Sequence, residues 1–234
     1  MTSASVAAAW VQARLGYQPR DAALFSAALT HRSAARPNNE RLEFLGDAVL
    51  NLSIARQLYD AFPEASEGDL SRLRARLVSR EPLAEVALDL GIGEALRLGS
   101  GELKSGGFRR HSILADAFEA LCGAVFLDGG PQAVEPLLAR LFAPRIAALP
   151  PPEALKDAKT RLQEHLQSRS LTLPRYTILG IEGADHAQTF RVSCEVPGLK
   201  LRVEGGGASR RSAEQEAAAR MLAAIAGAAA GAPP

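Results

Sequence analysis

Three consecutive prolines, Pro150 to Pro152 in the stretch AALPPPEA, divide this 234-residue chain into parts with different periodicities. Proline has no N–H to donate and clashes with the preceding turn, so no helix runs through such a triplet and a semi-rigid linker results. Before it, apolar residues recur at helical spacing and Gly and Pro mark the turns. That pattern predicts an all-α domain over 1–147, with helices near 5–15, 21–29, 39–61, 67–78, 81–90, 112–127 and 131–146. The segment LRLGSGELKSGGFRRHS, residues 96–112, carries four glycines and several basic groups and is expected to be a mobile loop. Beyond the linker, 148–155, the period changes. KTRLQEHLQSR is helical, RYTILGIEG, AQTFRVSCEV and LKLRVEGGG alternate like strands, and ASRRSAEQEAAARMLAAIA is helical again. An α-β-β-β-α order over 156–226 predicts a small α+β module with helices on one face of an antiparallel sheet. Residues 227–234 are expected to form a disordered tail.

Composition narrows the class. With 47% hydrophobic and 23% charged residues the chain is an ordinary globular protein. Its two cysteines, Cys122 and Cys194, are far apart, which argues against a disulfide scaffold or a thiolate zinc site and fits a reducing cytoplasm. The N-terminus has no basic stretch of a signal peptide, and no apolar run is long enough to span a membrane. The net charge of +1 divides into +3 over 156–234 and −2 over 1–155, a slight bias towards a polyanion partner for the C-terminal module.

The chemistry is concentrated in NNERLEFLGDAVL, residues 38–50. Glu40 and Glu43 are three apart and Glu43 and Asp47 four apart, which places them on one helical face. SILADAFEALCGAVFL is apolar nearly all round, with Asp116 and Glu119 as its only charges, also on one face. For Glu40 alone, pairing with a local arginine such as Arg41 or a place at the helix N-terminus explains the charge as well as a functional role does. Asp116 and Glu119 have no Lys or Arg within helical reach. Four carboxylates converging from two buried helices repel one another and hold protons unless a cation joins them. Oxygen ligands of this kind suit Mg²⁺ or Mn²⁺, and no His or Cys cluster points to zinc.

These stretches resemble the bacterial ribonuclease III signature, and NERLEFLGD is a highly specific match. EGDLSRLRARLVS and ELKSGGFRR are similar to the same family in the expected order, and the resemblance spans roughly residues 5–226. It implies an α-helical endonuclease domain followed by a double-stranded RNA-binding domain, and metal-dependent hydrolysis of double-stranded RNA to 5′-phosphate and 3′-hydroxyl ends. Glu43, Asp47, Asp116 and Glu119 then match the metal-binding acids, with Asp47 and Glu119 catalytic, and Glu40 and Glu67 match additional cleft acids. The implied cofactor is Mg²⁺, with Mn²⁺ able to substitute. The implied partners are double-stranded RNA and a second copy of the chain, the setting rRNA and mRNA processing. Phe44, which by pattern alone reads equally as core, matches the family's dimer anchor. His31 is expected to be structural. A catalytically silent RNA-binding protein of the same architecture is the alternative, and it would be expected to lack at least one of the four acids.

In the C-terminal module the resemblance assigns Thr160, Gln163, Glu164 and His186 to minor-groove contacts, and Ser209, Arg210 and Arg211 to phosphate. Helix starts favour anions, and the triple glycine before this one adds to that expectation. Ser212 departs from the family, which places a third basic residue there, and His111 stands where many relatives have an acid. Arg72, Arg76 and Arg80, spaced by four, read equally as an RNA stripe or as acid-paired surface. Lys104, Arg109 and Arg110 are candidates for a basic arm.

Overall fold

The computed structural model describes residues 2–151, 156–183 and 188–230. The chain separates into two compact units, Met1–Leu155 and Lys156–Pro234.

The first unit is helical. Its elements are α1 (Ser3–Leu15), α2 (Ala22–Ala28), α3 (Glu40–Ala61), α4 (Glu67–Val78), α5 (Arg80–Asp89), the short α6 (Ile92–Ala95) and α7 (Ser100–Lys104), α8 (His111–Gly129) and α9 (Pro131–Ala147). Local chemistry fixes the ends. Thr2, Asp21 and Ser66 cap α1, α2 and α4 by accepting backbone N–H groups. Gly16 closes α1 in the left-handed conformation, and Pro131 opens α9 where its missing N–H costs nothing. Helix α8 is the axis of the unit. Eleven of its residues are buried, among them Leu114, Phe118, Leu121 and Val125, and α2, α3, α5 and α9 pack around it.

The expectation of a mobile 96–112 loop is corrected. Arg97 N–H donates to Leu29 O at 2.8 Å, His31 N–H to Arg97 O at 3.0 Å, and Gly99 N–H to Ser33 Oγ at 2.9 Å. The segment then folds into α7 and a single 3₁₀ turn, Gly107–Arg109, closed by an Arg110–Glu102 ion pair at 3.0 Å. Backbone hydrogen bonds to residues 29–33 outweigh the freedom of its glycines.

The second unit contains α10 (Ala158–Ser168), the strands β1 (Arg175–Glu182), β2 (Thr189–Val196) and β3 (Leu201–Gly207), and α11 (Arg210–Ala230). The sheet is antiparallel in the order β1-β2-β3, with a bulge between Ile178 and Gly180. Leu162 and Leu166 of α10, Cys194 and Val196 of β2, and Ala217, Met221 and Ile225 of α11 form its core. The glycine triplet belongs to β3, as its place in LKLRVEGGG predicted. A Cβ on Gly205 would stand 2.3 Å from Ala217 N, and one on Gly207 2.3 Å from Ser212 Oγ, so only glycine lets α11 lie this close. Helix α11 also runs on through 227–230, where a disordered tail was expected, because its alanines are the best helix formers. Among the described residues no helix is long and apolar enough to cross a membrane.

Candidate active site

Helices α3 and α8 carry the acids and touch backbone to backbone. A Cβ on Gly46 would stand 1.7 Å from Glu119 O, and one on Gly123 would stand 2.3 Å from Leu42 O. This contact brings carboxylate oxygens of Glu43, Asp116 and Glu119 within 4.8 Å of one another. Asp47 lies one turn beyond Glu43, outside that group and exposed, with Oδ1 accepting from Asn51 Nδ2 at 2.8 Å. Its charge still bears on Glu119.

Electrostatics reports the strain of this arrangement. Burial, followed by the charges of Asp47, Asp116 and Glu43, pushes the Glu119 carboxyl up to about 8. Glu43 is raised by burial and then by Asp116, Glu40 and Asp47, against a smaller opposing effect of Arg32. Asp116 is raised by burial, partly offset by Arg80, His31 and Arg32. Half-buried carboxylates whose pKa values rise for want of positive charge fit a divalent cation: three converging hard oxygens supply ligands, and the ion supplies the missing charge.

The remaining acids are placed differently. Glu40 is exposed, 3.5 Å from Arg32, and accepts from Asn38 Nδ2 at 3.3 Å. It lines a cavity of about 480 Å³ together with Glu43, Asp116, His31, Arg32 and Arg110. Glu67 is exposed on the first turn of α4, where it accepts from Ser71 Oγ at 2.8 Å, and is not part of the carboxylate group. His31 is held through its Nδ1 against Ser33 Oγ at 2.8 Å. In the arginine stripe, Arg72 is tied to the buried Asp69 at 2.7 Å, whereas Arg80 acts on Asp116. Pattern reading missed Glu102 and Asn39 as cavity residues. Nothing in the spacing of Glu102 links it to the acids, since the fold of 96–112 brings it there, whereas Asn39 stands four residues before Glu43 at the start of α3 and its spacing could have found it.

Phe44, on the same helix as the acids, points outward and is 82% exposed beside an apolar groove lined by Leu24, Pro37, Leu42, Leu45 and Leu127.

In the second unit Thr160, Gln163 and Glu164 share α10, whose first turn is capped by Asp157 accepting from Thr160 N–H at 2.8 Å. Gln163 is exposed, and Glu164 takes an ion pair from Lys156 at 2.8 Å. His186 lies outside the described residues. Ser209 and Ser212 cap α11 reciprocally, each hydroxyl accepting the other residue's N–H. This gives Ser212 a role that a basic residue would not fill. Arg210 Nε donates to Glu214 Oε1 at 2.8 Å, and the same carboxylate holds Lys159, which sits 4.6 Å from the centre of the Tyr176 ring. Arg211 is exposed beside them.

A helical domain whose clustered carboxylates could hold a divalent cation, and a separate α-β-β-β-α module, are the two parts to be identified. Comparison with known proteins identifies both. Residues 21–146 match the family described as Ribonuclease-III-like, and residues 158–225 match the double-stranded RNA binding motif. Ribonuclease 3 of Thiobacillus denitrificans is 57% identical over 84% of this chain and 87% of its own length. That of Dechloromonas aromatica is 56% identical over 89% and 91%. The nuclease domain of the Campylobacter jejuni ribonuclease III superposes with a TM-score of 0.57 at 38% identity, covering 61% of this chain and 97% of that one. The chain belongs to the ribonuclease III family, the endoribonucleases of double-stranded RNA.

Proposed function

We propose that Glu43, Asp47, Asp116 and Glu119 hold Mg²⁺, replaceable by Mn²⁺, and that the chain cuts RNA duplexes to 5′-phosphate and 3′-hydroxyl products with staggered ends. The observation that carries this is the convergence of Glu43, Asp116 and Glu119 with a protonated Glu119. Bound there, the ion would lower the pKa of an attacking water and offset charge on the phosphate and the leaving 3′-oxygen. Glu119 must release its proton to become a ligand. Asp47, now held by Asn51, would have to leave that hydrogen bond to join the group. Gly46 keeps α3 close enough to α8 for both pairs of acids to serve one site. Glu40 contributes to the same cleft, and Glu67 is proposed as a cleft acid on resemblance alone.

Phe44 is proposed to anchor a homodimer, because a phenylalanine this exposed beside an apolar groove is otherwise a standing cost in water. A Campylobacter jejuni nuclease-domain structure is described in terms of a region involved in dimer formation. Two copies would give two centres, one per strand. In the second unit, Thr160, Gln163, Glu164 and His186 are assigned to the minor groove and Ser209, Arg210 and Arg211 to phosphate. The domain limits follow as 1–147 for the nuclease and 156–226 for the RNA-binding domain, with the protein working in the cytoplasm on ribosomal and messenger RNA. Retention of all four acids speaks against a silent RNA-binding protein.

End analysis of a long duplex RNA digested in Mg²⁺ tests the reading. The expected products are short duplexes with 5′-phosphates and recessed opposite strands. Blunt products, or 5′-hydroxyl ends, would refute it.

A further inference from the structure

The cavity beside the carboxylates is lined by charges of both signs: Glu40, Glu43, Glu102 and Asp116, and among them Arg32 and Arg110, with His31, Ser33 and Ser112. Asn39 also lines it, and this residue is 2% exposed with an Nδ2 that has no hydrogen-bond partner. The Asn39 backbone is fully engaged, its N–H donating to Thr30 O at 2.9 Å and its carbonyl accepting from Glu43 N–H at 2.8 Å. Only the side-chain amide lacks an acceptor. A buried donor without a partner costs stability and marks a place where an acceptor is expected. The arginine pairs are Arg32 with Glu40 at 3.5 Å and Arg110 with Glu102 at 3.0 Å, and both arginines remain substantially exposed. Exposed pairs of this kind are weak and exchange readily for a better anion. A guanidinium presents paired donors that match a phosphate.

We propose that this cavity is a second anion site, in which Arg32 and Arg110, with the Asn39 amide, hold a phosphate of the RNA strand adjacent to the scissile one. The proposal rests on the assignment of the carboxylates to the scissile phosphate. A strand crossing that site carries further phosphates into the cavity, past Glu40 and Glu43, and Arg32 and Arg110 offset the repulsion there. The Arg110–Glu102 pair then has a second role, holding the 96–112 segment in place until RNA displaces the carboxylate.

The test is a charge-deletion cycle in the full-length protein. One partner is the phosphate, replaced singly by an uncharged methylphosphonate at each position flanking a defined cleavage site. The other is the arginine pair, replaced as Arg32→Gln with Arg110→Gln, and as Arg32→Lys with Arg110→Lys. Single-turnover cleavage is read alongside Mn²⁺ binding by calorimetry. The expectation is that one flanking methylphosphonate slows the wild type by about tenfold, as for loss of a charge-assisted contact. The Gln pair should be slowed similarly on normal RNA, be indifferent to that same methylphosphonate, and bind Mn²⁺ as the wild type does; the Lys pair should recover part of the rate. Effects that multiply at every flanking position, or loss of Mn²⁺ binding in the Gln pair, would overturn the proposal. Failure of the underlying carboxylate assignment is distinguishable, since the wild type would then not depend on metal to cut unmodified RNA.

Discussion

The Cα of Gly46 faces the backbone carbonyl of Glu119 so closely that a Cβ would lie 1.7 Å from that oxygen. The two acid-bearing helices therefore meet through a glycine, one turn from Glu43 on one helix and at Glu119 itself on the other. Gly46→Ala should force α3 and α8 apart, costing about 1–3 kcal/mol in urea unfolding and weakening Mn²⁺ binding in calorimetry. Gly101→Ala, where nothing lies within 4 Å, should change neither and serves as the control.

The raised Glu119 carboxyl sets a pH dependence with a definite sign. In the unfolded chain it ionises near the ordinary glutamate value of 4.5, whereas in the folded, metal-free protein it holds its proton to about 8. Folded protein binds more protons across that interval, so stability in chelator falls as pH rises from about 4.5 to about 8. Glu43 and Asp116 act in the same direction. Metal binding expels the proton, so Mn²⁺ affinity should rise over the same range and calorimetry in two buffers should show proton release. In Glu119→Gln the fall in chelator stability should be shallower, measured as the urea midpoint at pH 5 and pH 8.

Glu214 is an acid in the middle of a basic surface, yet its loss should weaken RNA binding. It is 8% exposed and holds both Lys159 and Arg210, which keep its own pKa below the ordinary value against the effect of burial. Glu214→Gln removes a negative charge but releases two cations from fixed positions. Electrophoretic binding of a duplex RNA should weaken several-fold, on the order of 1 kcal/mol, as expected when ordered hydrogen bonds to charged groups are lost. Tighter binding would show that net charge, not placement, governs this surface.

Phe44→Ala should leave the fold intact, because the side chain is 82% exposed. Sedimentation equilibrium should show the dimer dissociating at concentrations about 30-fold higher or more, since truncating a central aromatic anchor costs 2 kcal/mol or more. An unchanged dimer would move the anchor elsewhere on α3, where Leu52 and Tyr59 are also exposed.

Much of this was legible in the sequence because periodicity and spacing carry it. The long helices of the first unit lie within one or two residues of their expected limits, and the i, i+3 and i+4 acids of α3 and α8 do share faces. What pattern reading could not supply is chemistry made by distant segments. The 96–112 stretch was misjudged because glycine content announces freedom, while the bonds from Arg97 and Gly99 to residues 29–33 remove it. Helices α6 and α7 are too short for a period to show. The sequence placed the three glycines in a strand, but the contact that requires them, with Ala217 and Ser212, lies on the next element and did not show. The asparagine hold on Asp47 is an i, i+4 pair that spacing permits, but the rotamer that turns Asp47 towards Asn51 was not legible.

The central claim is that the α3–α8 carboxylates hold the ion that cuts duplex RNA, and Glu119→Gln tests it most directly. Cleavage and binding of one radiolabelled duplex are measured for wild type and variant in Mg²⁺, in chelator, and after Mn²⁺ is restored. Wild-type cutting should stop in chelator and resume with Mn²⁺. The variant should bind the duplex as the wild type does and cut at least about 1,000-fold more slowly, the loss of several kcal/mol of charge stabilisation. A variant that cuts at the wild-type rate would contradict the account.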